Sequence, residues 1–249
     1  TTANNNTSVG SYSMIKNTTG TANVALGTNA LACNTTADNN TAIGFCALRL
    51  NTTGTVNTAM GRQALQNNTT GTGNTAYGHN TLNENTTGGC NTAMGGSALF
   101  NNTGGCNTAI GHSALTANTS GLQNVALGVC SLNSNTTAHN NVAVGFCALR
   151  TNSTGTLNVA MGSFTMEDNT TGNCNTALGY RALCDNTTGE LNVAVGCGAL
   201  SKNTTGGNNV AVGFEALACP NVGNTTAIGY QALKNNSDTG YYNTAVGYL

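Results

Sequence analysis

The run Asn40-Thr41-Ala42-Ile43-Gly44-Phe45-Cys46-Ala47-Leu48 continues as Arg49-Leu50-Asn51-Thr52-Thr53-Gly54 and is then restated, 17 residues on, as Asn57-Thr58-Ala59-Met60-Gly61-Arg62-Gln63-Ala64-Leu65. The same phrase recurs along the whole chain. With the glycine of each Ala-x-Gly step taken as zero, the units fall at Gly10, Gly27, Gly44, Gly61, Gly78, Gly95, Gly111, Gly128, Gly145, Gly162, Gly179, Gly196, Gly213, Gly229 and Gly247. The spacing is 17 except for 16 before Gly111 and Gly229 and 18 before Gly247. A fixed short period of this kind is the mark of stacked turns, each burying its apolar face against the next.

Length changes show which part of the unit faces outward. The residue missing before Gly111 is lost from the Asn-Thr-Thr-Gly segment, which shrinks to Asn102-Thr103-Gly104, and the extra one before Gly247 lies within Asn236-Ser237-Asp238-Thr239-Gly240. Insertions and deletions collect where backbone runs over the surface, so this segment is expected to be an exposed turn.

One step before the glycine stands a large apolar or aromatic residue, from Val9 and Leu26 through Tyr77 to Val246; four steps after it stands Leu in twelve units and Met in two, Met14 and Met166. Both columns are expected inside. Ala occupies the station two before the glycine, with Ser8 the exception. Residues two apart in a strand share a face, so Ala and Gly are expected on the opposite side, kept small to admit a neighbouring chain. Two strands per turn suit these short Gly- and Asn-flanked runs better than helix. The sequence thus predicts an all-β fold, a parallel β-solenoid or β-roll of about fifteen 17-residue turns, a rod of roughly 70 Å, associated side by side as an oligomer. Residues 1–249 read as one continuous array, with both ends expected to be cuts through a longer protein.

Composition excludes several function classes. Charged residues make up 6% and aromatics 5%, there is no Trp, and Pro220 is the only proline, which argues for an ordered solenoid over a disordered chain. The formal net charge of −1 leaves no basic footprint for nucleic acid. No uninterrupted apolar run approaches the ~20 residues that span a bilayer, so no membrane insertion is expected in this segment.

Two asparagine columns flank the apolar stations. The first, four before the glycine, includes Asn23, Asn40 and Asn57; the second, seven after it, includes Asn34, Asn51 and Asn68 and is broken by Pro220. Both suit corner ladders, since stacked amides pass hydrogen bonds from turn to turn. The second column also reads Asn-x-Ser/Thr at Asn17, Asn34, Asn51, Asn68, Asn85, Asn118, Asn135, Asn152, Asn169, Asn186 and Asn203, which makes these candidate N-glycosylation acceptors. Cys90 with Cys106, and Cys130 with Cys147, occupy equivalent stations in adjacent turns, ~4.8 Å apart, and are candidate disulfides.

Catalytic and metal chemistry find no foothold. There is no Cys-x-x-Cys, His79 and His112 are two turns apart, His139 lies in a turn, and the adjacent acids Glu167 and Asp168 point to opposite faces of an extended segment. Gly71-Thr72-Gly73-Asn74-Thr75-Ala76 imitates a dinucleotide glycine pattern without a crossover helix behind it. No enzyme, cofactor or metal site is expected.

The unit Asn-Thr/Val-Ala-x-Gly-x-x-Ala-Leu resembles the head repeat of YadA-like trimeric autotransporter adhesins, and is similar to repeat arrays of phage and virus tail fibres. The resemblance implies a left-handed parallel β-roll with three chains wound side by side, exported, and meeting surfaces through its flank. This chain differs in its 17-residue unit, its Asn-Thr-Thr-Gly turn and its ten cysteines. The expected function is a structural extracellular fibre or adhesin shaft on a cell surface or virion. Its expected partners are copies of itself as a trimer or filament, and glycans or a host-cell surface. The competing class is a carbohydrate- or ice-binding module that uses the Asn/Thr-rich turn face.

Overall fold

The computed structural model describes residues 3–219, 223–235 and 242–248. The chain is an all-β parallel solenoid that divides into two compact units, Thr1–Gln123 and Asn124–Leu249. In the first unit each turn contributes one three-residue strand: β1 Thr7–Val9, β2 Val24–Leu26, β3 Thr41–Ile43, β4 Thr58–Met60, β5 Thr75–Tyr77, β6 Thr92–Met94 and β7 Thr108–Ile110. The second unit carries β8 Val125–Leu127, β9 Val142–Val144, β10 Val159–Met161, β11 Thr176–Leu178, β12 Val193–Val195, β13 Val210–Val212, β14 Thr226–Ile228 and β15 Thr244–Val246. Within each unit every strand pairs in parallel with the next at equal repeat stations, Ala42 opposite Ala59 and Ala177 opposite Ala194.

The interior of a turn is small. In the turn around Gly44 it holds Asn40, Ala42, Ala47, Leu48 and Asn51, all at zero exposure. The Leu column is therefore inside, as its regularity predicts. The strand, however, faces the other way from the sequence reading. Ala42, Ala59 and Ala177 point into the core, while Leu26, Tyr77 and Leu178 of the large column stand about half exposed. The small face is filled by the turn's own Leu and Asn side chains and does not admit another chain. Volume decides the matter: a 17-residue coil cannot hold one large side chain from the strand and a second from Leu48, and a column that interchanges Val, Ile, Met and Tyr is not a tightly packed interior site.

The second expected strand is also absent among the described residues. After Gly44 the backbone coils through the left-handed region at Cys46 (φ 57°) and Leu48 (φ 50°), and each described turn repeats this pair of conformations. Such residues resist that region by about 1–2 kcal/mol. They are held there because their amides reach opposite neighbours: Cys46 N–H donates to Thr28 O of the preceding turn and Leu48 N–H to Ala64 O of the following one, both at 3.0 Å. The stack therefore continues through this segment without a second strand.

The zero glycine is required by geometry. Gly44 has φ 133°, and a Cβ there would lie 2.5 Å from Gly61 O in the next turn. No L side chain fits, which explains why this station never varies.

Candidate functional site

The two asparagine columns form the most ordered polar feature of the molecule. In the first, Asn57 N–H donates to Asn40 Oδ1 at 2.9 Å and Asn57 Nδ2 to Gly71 O at 2.9 Å. In the second, Asn68 Nδ2 donates to Asn51 Oδ1 at 2.8 Å and to Gly71 O at 3.0 Å. Both hydrogens of Asn68 Nδ2 are thus engaged, and one glycine carbonyl receives an amide from each column. The ladders run side by side, converge on that carbonyl, and tie the beginning of each coil to its end.

This arrangement corrects the exposure on which the glycosylation reading rested. Asn34, Asn51, Asn68, Asn85, Asn118, Asn135, Asn152, Asn169, Asn186 and Asn203 are all at zero exposure; Asn17 is partly buried and donates Nδ2 to Gly20 O at 2.9 Å. The nitrogen that would carry a sugar is inside the fold and hydrogen-bonded. What is exposed on that turn is the second threonine, as at Thr53 and Thr70. The first threonine turns its hydroxyl along the stack, Thr52 Oγ1 donating to Thr69 O at 3.0 Å. That same carbonyl accepts the amides of Thr52, Thr53 and Gly54 at 3.0, 3.2 and 3.3 Å.

The ladder has a fault. Asn203 Oδ1 is buried without a hydrogen-bond partner, and the next residue in its column, Pro220, lies outside the described residues and has no side-chain amide with which to continue the Nδ2-to-Oδ1 ladder.

All ten cysteines carry free thiols. Cys90 and Cys106 are exposed on successive turns, and Cys130 lies against Cys147, whose thiol pKa is raised by burial first and by Cys130 second. Cys184, more deeply buried, is pushed up to about 12 by desolvation. Other polar and titratable groups meet in small clusters: His79 Nε2 meets Arg62 at 2.8 Å, His112 Nδ1 meets Ser113 at 3.0 Å, Glu167 pairs with Arg150 at 2.9 Å, and Asp185 pairs with Lys202 at 2.8 Å and Arg181 at 3.9 Å. No group of three metal-ligating side chains comes together among the described residues.

The feature that sequence reasoning placed inside, and the structure places outside, is the large apolar column. In the first unit Val9, Leu26, Tyr77, Met94 and Ile110 are exposed along it, and in the second Leu127, Met161, Leu178, Ile228 and Val246. Each unit thus presents a strand face whose apolar column, exposed or half-exposed turn by turn, repeats every ~4.8 Å. The variety of residue sizes in the column, set against the near-uniform Ala beside it, was the available signal for this orientation. Comparison with protein-family models, with curated proteins and with solved structures finds no match.

Proposed function

We propose that the chain is the shaft of an extracellular fibre or adhesin, and that copies of it associate side by side, as a trimer or filament, through the exposed strand face. The observation that carries this reading is the apolar ladder: side chains such as Leu178 and Met161 remain exposed beside asparagines that are buried and hydrogen-bonded along the stack, as Asn175 is to Asn158. A contiguous apolar face of several hundred Å² marks an interaction surface. A face with a ~4.8 Å period is matched best by a surface of the same period, and a second copy supplies one whose side chains interdigitate with it. The scarcity of charge fits a rod whose contacts are dry and repetitive. The carbohydrate- or ice-binding alternative draws less support, because the first-threonine hydroxyls are already donating along the stack.

Sedimentation equilibrium tests the reading. The full chain should associate at micromolar concentration, and Leu178→Lys with Met161→Lys should leave a folded monomer by circular dichroism. A wild-type chain that stays monomeric at every accessible concentration overturns it.

A further inference from the structure

In the second unit the station one residue after the zero glycine runs Val129, Phe146, Ser163, Tyr180, Cys197, Phe214, Tyr230 and Tyr248. Where rings are consecutive they stack: Phe214 on Tyr230 at 5.3 Å with planes 14° apart, and Tyr230 on Tyr248 at 5.0 Å and 8°. Ser163 leaves no break, because Phe164 from the next station stands edge-on between Phe146 at 5.3 Å and Tyr180 at 6.2 Å. Cys197 has no such substitute, since its successor is Gly198. Between Tyr180 and Phe214, two turns or roughly 10 Å apart, the ladder is one ring short. The outcome is a notch of about 180 Å³ lined by Tyr180 and Phe214 on either side of Cys197, and by Arg181 and Glu215 on either side of Gly198.

We propose that this notch is a binding site for one flat, neutral aromatic ring. A ring seated over Cys197 would meet both Tyr180 and Phe214 at about the 5 Å spacing that the rest of the ladder adopts, which is within the range for favourable ring pairs. The charges at the edge do not call for a charged ligand. Glu215 is held by Lys234 at 2.5 Å and by Gln231 at 2.7 Å, and Arg181 shares Asp185, at 3.9 Å, with Lys202, which is at 2.8 Å, and is also held by Tyr180. A saturated ring of the same bulk lacks the quadrupole that makes two-sided stacking favourable. The site does not depend on the fibre reading, because the notch belongs to a single chain.

The exposed Cys197 thiol allows a direct test by disulfide exchange on the full chain. The protein is equilibrated with equal amounts of the cysteamine mixed disulfides of 2-phenylethanethiol and 2-cyclohexylethanethiol. The Cys197 thiolate attacks the sulfur bearing the ring group, a new protein disulfide forms, and cysteamine leaves with the proton. Peptide mass spectrometry then reads the phenyl-to-cyclohexyl ratio at Cys197. Cys174 serves as the internal reference, being exposed with only Leu157 and Leu191 as column neighbours. The ratio at Cys197 should exceed that at Cys174 by roughly tenfold, and Tyr180→Ala and Phe214→Ala should each bring it down towards the reference. Equal ratios at the two cysteines in the wild-type chain overturn the proposal, as does a Cys197 preference that neither wall substitution changes.

Discussion

Asn40 and Asn51 stand in different columns of the same turn and converge on one acceptor: both donate Nδ2 to Gly54 O, at 3.0 and 2.8 Å. The two lone pairs of that carbonyl are filled by the residue that opens the coil and the residue that begins its last corner. Asn51 also accepts from Asn68 and donates to Asn34 at 3.1 Å. Asn51→Ala removes three buried hydrogen bonds and leaves an unsatisfied Asn68 N–H, so a loss of about 3 kcal/mol is expected. Thr53→Ala on the exposed side of the same corner should stay within about 0.5 kcal/mol. Urea unfolding of the two variants checks the contrast, and equal effects would remove the ladder from its structural role.

Burial of this column makes a prediction about modification. Expressed in a host that glycosylates Asn-x-Ser/Thr, the folded chain should yield unmodified peptides at Asn34, Asn51, Asn68 and Asn186, because Nδ2 is inside and already donating at each. Hexose-bearing Asn51 in protein that retains native circular dichroism would show that the corner opens.

How much of this was legible in the sequence follows from what a repeat can encode. The period, the parallel stacking, the inward Leu48 column and the asparagine ladders are all consequences of identical residues meeting at one station. Which face of a strand turns inward is not, because alternation defines two faces without naming the inner one. Choosing the larger side chains for the core is sound for wide sheets and wrong for a coil whose interior holds only five side chains at Asn40, Ala42, Ala47, Leu48 and Asn51. The left-handed conformations at Cys46 and Leu48 were hidden for another reason. Neither residue favours that region, and only the hydrogen bonds of neighbouring turns impose it.

Two glycine stations separate a conformational requirement from a spatial one. Gly179 has φ 132°, and a Cβ there would lie 2.7 Å from Gly196 O. Gly179→Ala combines backbone strain with a clash against backbone that cannot retreat, and should cost about 3 kcal/mol or more. Gly54 has no left-handed φ to lose, but a Cβ there would lie against Gly71 O and the Asn51 and Asn68 side-chain amides. Gly54→Ala therefore carries the spatial cost alone, about 1–3 kcal/mol, which the turns holding Ala37 and Ala138 at the same station show the stack can absorb. Thermal denaturation of both variants distinguishes the cases.

The buried thiols give stability a pH dependence. Burial raises the Cys184 pKa from an ordinary 9.0 to about 12, so above pH 9 the unfolded chain loses a proton that the folded chain keeps. Its contribution is complete below pH 9 and declines as pH rises towards 12. Cys184→Ala should flatten that part of the stability profile. In the native protein at pH 8, Cys90, Cys106, Cys174, Cys197 and Cys219 are exposed and should alkylate quickly, whereas Cys184 should react only on unfolding. Rapid labelling of Cys184 in the folded state would contradict its burial.

A pair of adjacent substitutions tests which way the strand faces. Ala177 is inside and Leu178 outside, on the same three-residue strand. Ala177→Leu forces three further carbons into a coil already filled by Leu183 and the asparagines, and overpacking of that kind costs about 1–3 kcal/mol or more. Leu178→Ala removes a side chain that is about half exposed, and in the monomer should cost less than about 1 kcal/mol. Were the large column the interior one, the order would reverse, with Leu178→Ala opening a cavity worth about 2–5 kcal/mol. The sign of the difference between the two variants, measured by urea denaturation at a concentration low enough to keep the chain monomeric, therefore decides the orientation. Repeating the measurement at high concentration adds the association term: if the strand face is the contact between copies, Leu178→Ala should become the more damaging of the two only there, because its side chain would then be buried by a neighbour.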